Sequence, residues 1–210
     1  MTKKQLLTNI GGISQTSKMP SGSWSLSAFW CNTGGKLNKI KNSACHGCYA
    51  LKGNYIRYKD HMIKSYEKKL NAFNNNNDLF IESFTEYLNR FEKSGFFRWF
   101  DSGDLQSYNM LLSIVKIAKQ TPTIKHWLPT KEYTLITKYH KEFGNFPKNL
   151  CVRVSAPMLD TKIKNFENTS SIKKDSEMKV NCKAGQQQGQ CLECRLCWNK
   201  SIKNITYKYH

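Results

Sequence analysis

Phe96-Phe97-Arg98-Trp99-Phe100, followed by Asp101-Ser102-Gly103-Asp104, is the stretch on which the fold turns. A run this aromatic and this short cannot be a solvent-facing helix, so it reads as a buried strand that breaks off at an acidic turn. Two further segments fit the same description. Ile124 to Leu128 leads to Pro129-Thr130, and Leu150 to Ser155 places Val152 and Val154 on one side and Cys151, Arg153 and Ser155 on the other. Upstream, Trp24, Leu26, Ala28 and Trp30 alternate with serines and Phe29, which predicts a strand from Gly22 to Trp30 that delivers the chain to Cys31. Helical spacing fills the intervals. Tyr58, Met62, Tyr66, Leu70 and Phe73 form one stripe of a helix over about Asn54 to Phe73, read as core packing rather than a base-stacking platform. Phe80, Phe84, Leu88 and Phe91 repeat the pattern after an Asp78 cap, and helices are expected over Gln106 to Lys119 and Lys131 to Phe143.

Strand, helix, strand, helix, strand, helix, strand is the order of parallel strands joined by right-handed crossovers. The expected fold is α/β, a partial and open β/α barrel over residues 21–157. It is preceded by an N-terminal arm, residues 1–20, and followed by a Cys-rich segment, residues 158–210. Met158 to Val180 reads as irregular. In such folds chemistry collects at the C-terminal ends of the strands. Cys31, then Asp101-Ser102-Gly103-Asp104, then Thr130-Lys131, then Ser155 would rim one mouth.

Seven of the eight cysteines fall into two sets. Cys31, Cys45 and Cys48 make the first, and the Cys-x2-Cys spacing lets one turn aim two sulfurs at a single centre. Cys182, Cys191, Cys194 and Cys197 make the second, whose closing Cys-x2-Cys-x2-Cys run suits the corners of a [4Fe–4S] cube, with zinc as the alternative metal. Three thiolates leave one iron open unless His46 or Cys151 ligates it. Asp101 and Asp104 can hold an amino group or ribose hydroxyls, or act as general acid and base. Lys131 and Arg153 can neutralise a carboxylate, a phosphate or a reduced cluster. His210 receives no role.

The N-terminus shows no signal-peptide h-region and no run is long enough for a membrane span, so a soluble cytoplasmic protein is expected, in the host cell if the chain is viral. In that compartment Cys-x2-Cys spacing points to metal rather than to a disulfide framework. A formal net charge of +18 asks for an acidic partner, nucleic acid or a nucleotide, although the lysines are dispersed and no aromatic-basic motif stands out. Three functional classes stay open: an enzyme, a metal-stabilised nucleic-acid-binding module, and an electron-transfer or redox-sensing protein.

The segments Trp24-Ser25-Leu26, Cys31, Cys45-x2-Cys48-Tyr49-Ala50, Arg98 to Asp104, Trp127 to Lys131, Val152 to Ser155 and Cys191 to Trp198 resemble the phage gene product 88 family from Met19 onward. More distantly, a cysteine triplet ending in Cys-Tyr-Ala after a first strand, a later acidic turn and a Thr-Lys strand end look like the radical S-adenosylmethionine (SAM) superfamily, particularly its spore-photoproduct-lyase-like branch. That resemblance implies a [4Fe–4S] cluster on Cys31, Cys45 and Cys48, SAM on its open iron, cleavage to a 5′-deoxyadenosyl radical, and an auxiliary cluster on the quartet. It also implies a reductase or ferredoxin-type electron donor. Ser102-Gly103-Asp104 would take the place of the superfamily's Gly-Gly-Glu type turn, and four strands are assignable where that superfamily has six.

Overall fold

A computed structural model describes residues 1–209. His210 lies outside the described residues. The chain runs α1 (Lys3–Asn9), β1 (Ser14–Gln15), β2 (Gly22–Trp24), α2 (Asn32–Leu37), α3 (Asn54–Arg57), α4 (Lys59–Asn75), α5 (Asn77–Phe91), β3 (Phe96–Trp99), α6 (Tyr108–Gln120), β4 (Lys125–Thr130), α7 (Tyr133–Phe143), β5 (Leu150–Ser155), β6 (Thr169–Lys173) and β7 (Asn204–Lys208). All seven strands join one open sheet in sequence order. β1 pairs antiparallel with β2, and every later pairing is parallel. The partial, unclosed β/α barrel read from the sequence is therefore present, with six parallel strands instead of four.

One face of the sheet packs on helices. Phe84 of α5 meets Phe97 and Trp99 at ring separations of 5.4 and 4.8 Å, and Leu128, Val152 and Val154 continue the same core. Alternation then sends Phe96, Arg98, Trp127 and Arg153 to the other face, which the C-terminal segment covers. Trp198 packs there against Phe96 and Trp127, and its Nε1 donates to the Phe97 carbonyl.

Several expectations need correction. Residues 1–20 are not a loose arm: α1 is held by a capping box between Thr2 and Gln5, and Leu6 and Ile10 are fully buried. The strand expected to run to Trp30 stops at Trp24, and Ala28–Trp30 forms a 3-10 turn. The helix expected from Asn54 breaks at Tyr58, so Tyr66 and Phe73 are buried while Tyr58 is 53% exposed. β4 runs through Pro129 to Thr130, and the helix expected from Lys131 begins at Tyr133. β6 lies inside the stretch expected to be irregular, and the C-terminal segment supplies two strands of the main sheet. Among the described residues, no helix is long and apolar enough to cross a membrane.

Candidate metal centres

Cys31 follows the turn Ala28–Trp30 beyond the C-terminal end of β2 and precedes α2. Cys45 and Cys48 reach the same mouth because the loop that carries them is fastened to the end of β5. Ser43 bridges to Met158, the Ala44 amide donates to the Pro157 carbonyl at 2.7 Å, and the buried Ser43 hydroxyl accepts from the amides of Cys45 and His46. Gly47 then turns the chain at φ +67°, and the Cys48 amide closes the turn on the Cys45 carbonyl. Gly34 leaves space between the thiols. A Cβ placed on it would sit 3.6 Å from both the Cys31 and the Cys45 sulfur, so the two sulfurs converge on one small volume.

Burial pushes the Cys31 thiol up to about 12, helped by Asp104, Cys45 and Cys48 and opposed by Lys131. Cys45 is raised by burial in the same way, and Lys131 is the largest influence pulling it back. Cys45 and Cys48 both act to raise the Cys31 thiol, and Lys131 acts to lower Cys31 and Cys45 alike.

The acidic turn divides its labour. Asp104 is 7% exposed and accepts at three points: from the Leu105 amide (2.8 Å), the Thr130 hydroxyl (2.6 Å) and the Lys131 amide (2.8 Å). Burial raises its carboxyl to about 6, with these bonds opposing. It fastens the loop after β3 to the end of β4. Ser102 and Gly103 do likewise toward the loop after β2, since the Ser102 hydroxyl donates to the Leu26 carbonyl and a Cβ on Gly103 would lie 2.6 Å from that oxygen. Ser155 accepts from the Ser170 hydroxyl at 3.0 Å. Asp101 differs. Its Oδ1 is buried with no hydrogen-bond partner, while its carbonyl accepts from the Tyr49 hydroxyl. Asp101 is thus the rim candidate with a buried oxygen left unengaged, while the Lys131 ammonium reaches Cys45 on the neighbouring loop. His46 turns its Nδ1 to the Asn38 carbonyl at 3.2 Å. Cys151 is fully buried in β5, raised to about 11 by burial, and belongs to neither group.

The second set gathers on the sheet face away from the helices. The Cys191 amide donates to the Lys18 carbonyl, Cys194 closes a turn on Cys191, the Cys182 amide donates to the Thr206 carbonyl, and the Cys197 sulfur lies 3.4 Å from the Tyr207 hydroxyl. Each of Cys182, Cys191 and Cys197 is raised by burial and feels at least one other member of the set, with Cys197 reaching about 12. Two arginines face them. Arg153, read from the sequence as a cation for a carboxylate, a phosphate or a reduced cluster, is fully buried and donates to the carbonyls of Thr169, Leu196, Cys197, Asn199 and Ile202, which locks the tail that carries the cysteines. Arg98, to which the sequence assigned no role, stacks 4.4 Å over Trp127. It donates to the Met19 sulfur and keeps a buried, unpartnered Nε. Its charge acts to lower Cys191 and Cys197 and also Tyr49 and Tyr55. Neither arginine has a carboxylate partner among the described residues.

All eight cysteines are free thiols. Among the described residues no group of three or more His, Cys, Asp or Glu side chains is placed to hold a metal ion. No curated protein and no solved structure matches the chain. The family model described as Gene product 88 matches residues 2–200, and the chain belongs to that phage family.

Proposed function

We propose that this is an iron–sulfur protein with one [4Fe–4S] cluster on Cys31, Cys45 and Cys48 and a second on Cys182, Cys191, Cys194 and Cys197. The observation that supports the proposal is the convergence of the Cys31 and Cys45 sulfurs, each 3.6 Å from the Cβ position of Gly34, with Cys48 closing a turn on Cys45 and Lys131 acting on Cys45. Buried thiols stay protonated and neutral unless a metal takes the place of the proton. A centre held by four thiolates is a net dianion, and Arg98 and Arg153 are two buried or half-buried cations otherwise lacking a counter-charge. A single zinc ion would draw its sulfurs to about 3.8 Å apart, given Zn–S bonds of about 2.3 Å. A cube interposes its own sulfides and so accepts a wider spread of sulfurs.

Such clusters supply one-electron chemistry, and a cube on three thiolates presents an iron to a further ligand. The chain's own residues then have definite tasks. Lys131 offsets negative charge at Cys45, Asp104 holds the two loops rigid, and the free Asp101 oxygen accepts a hydrogen bond from a ligand amino or hydroxyl group. SAM is the ligand we favour for the open position, because the triplet sits beyond the first of six parallel strands in sequence order with an unpartnered carboxylate beside it. The test is an electron paramagnetic resonance spectrum of the anaerobically reduced protein. A cluster signal that changes when SAM is added supports an enzyme. An unchanged signal leaves an electron carrier, and colourless protein carrying zinc rejects both.

A further inference from the structure

The surface beside the triplet is apolar, aromatic and basic at once. Among the described residues, five of the nine exposed large hydrophobic side chains, Phe29, Ile40, Tyr49, Ile56 and Tyr58, lie between residues 29 and 58. They are placed by the cysteines themselves: Phe29 belongs to the turn that ends at Cys31, and Tyr49 opens the turn that begins at Cys48. Those two turns pack together, and α3 packs on the second. Tyr49 is 62% exposed yet its hydroxyl is tied beneath to the Asp101 carbonyl, and its ring meets Tyr55 edge-on at 5.8 Å. Cations lie among the rings. Lys59 stands 4.8 Å over Phe29, Arg57 stands 5.5 Å over Tyr58, and the Lys52 ammonium lies against Gly47 in the Cys45–Cys48 turn.

Monomeric proteins rarely leave such a patch uncovered without a partner. Rings with free faces, interleaved with lysine and arginine on a chain of formal charge +18, fit one occupant better than others. Unpaired bases stack on aromatic faces while their phosphates meet the cations. A duplex offers no free base faces, and an acidic protein would use the charges but not the rings. We propose that this face binds single-stranded nucleic acid and sets a base at the mouth of the Cys31, Cys45 and Cys48 site. The surface exists whichever metal the triplet holds, so this inference goes beyond the cluster reading and can stand without it.

The test is fluorescence anisotropy with a labelled oligothymidine, alongside a hairpin duplex and polyglutamate as competitors, with iron assayed in every preparation. Phe29→Ala with Tyr58→Ala should weaken oligonucleotide binding about tenfold or more at unchanged salt dependence. Lys52→Gln, Arg57→Gln and Lys59→Gln together should lower the slope of log affinity against log salt by about two. Circular dichroism and iron content matching the unsubstituted chain would show that both variants fold. Equal affinity for duplex, full competition by polyglutamate, or ring variants that bind as tightly as the original would overturn the proposal. Ring-dependent binding in protein that holds no iron would overturn the cluster reading alone.

Discussion

Acid should unfold this protein through His126. The ring is fully buried between β4 and α6, and burial depresses its pKa from 6.5 to about 3. Its two nitrogens are already engaged. Nδ1 accepts from Trp99 Nε1 at 3.2 Å, and Nε2 faces the Thr121 hydroxyl at 2.8 Å, which itself donates to the Ile117 carbonyl. That pattern fixes the Nε2–H tautomer, and a second proton on Nδ1 would meet the Trp99 N–H head-on. The stability this neutral ring contributes is complete above pH 6.5 and is lost as pH falls toward 3. Between pH 7 and 4.5 the loss is about 2–3 kcal/mol, which for a chain of this size lowers Tm by roughly 5–10 °C. Asp104 works in the opposite direction, because its raised carboxyl favours protonation in the folded state. The assay must therefore be a difference. His126→Gln retains a donor for Thr121 and removes the titrating ring, so the stability gap between the original chain and the variant, from urea unfolding, should close by about 2–3 kcal/mol from pH 7 to 4.5. A gap that stays constant over that range would refute the reasoning.

Three further outcomes follow from the packing. Arg153→Lys keeps the charge but cannot reach five carbonyls; it should cost about 2–4 kcal/mol and reduce iron at the quartet while the triplet keeps its own, read by metal analysis and thermal unfolding. Gly34→Val fills the space beside Cys31 and Cys45, and should remove the iron held by the triplet while circular dichroism stays unchanged. Gly11→Ala should cost more than about 2 kcal/mol in urea unfolding, because φ is +71° and the added carbon would lie 2.4 Å from the Lys69 Cα.

Where apolar periodicity was strong, the sequence was legible. β3, β5, α5 and α6 carry aromatic or β-branched residues at the right spacing, and they form close to where that spacing puts them. β6 and β7 escaped because they are built largely from polar residues: Thr169, Ser171 and Thr206 hydrogen-bond through Asn204, and Ser170 donates to Ser155 of β5. The helix at the N-terminus did carry a readable sign in Thr2-x2-Gln5, the capping-box spacing. At the candidate site, cysteine spacing pointed to Cys31 and Cys45 together, and their sulfurs converge beside Gly34. It could not distinguish Asp101, with an oxygen left free, from Asp104, with both oxygens engaged, because that difference depends on Thr130 and Lys131 arriving from another strand. Arg153 looked like a ligand to an anion for the same reason. Four of its five partners are backbone carbonyls more than forty residues away, and no side-chain pattern announces them.

Iron and acid-labile sulfide, counted in anaerobically purified protein and in Cys31→Ser and Cys194→Ser variants, test the central claim most directly. The account predicts about eight of each per chain in the original protein and about four in either variant. Protein that retains its fold with neither iron nor sulfide, or with zinc in their place, would contradict it.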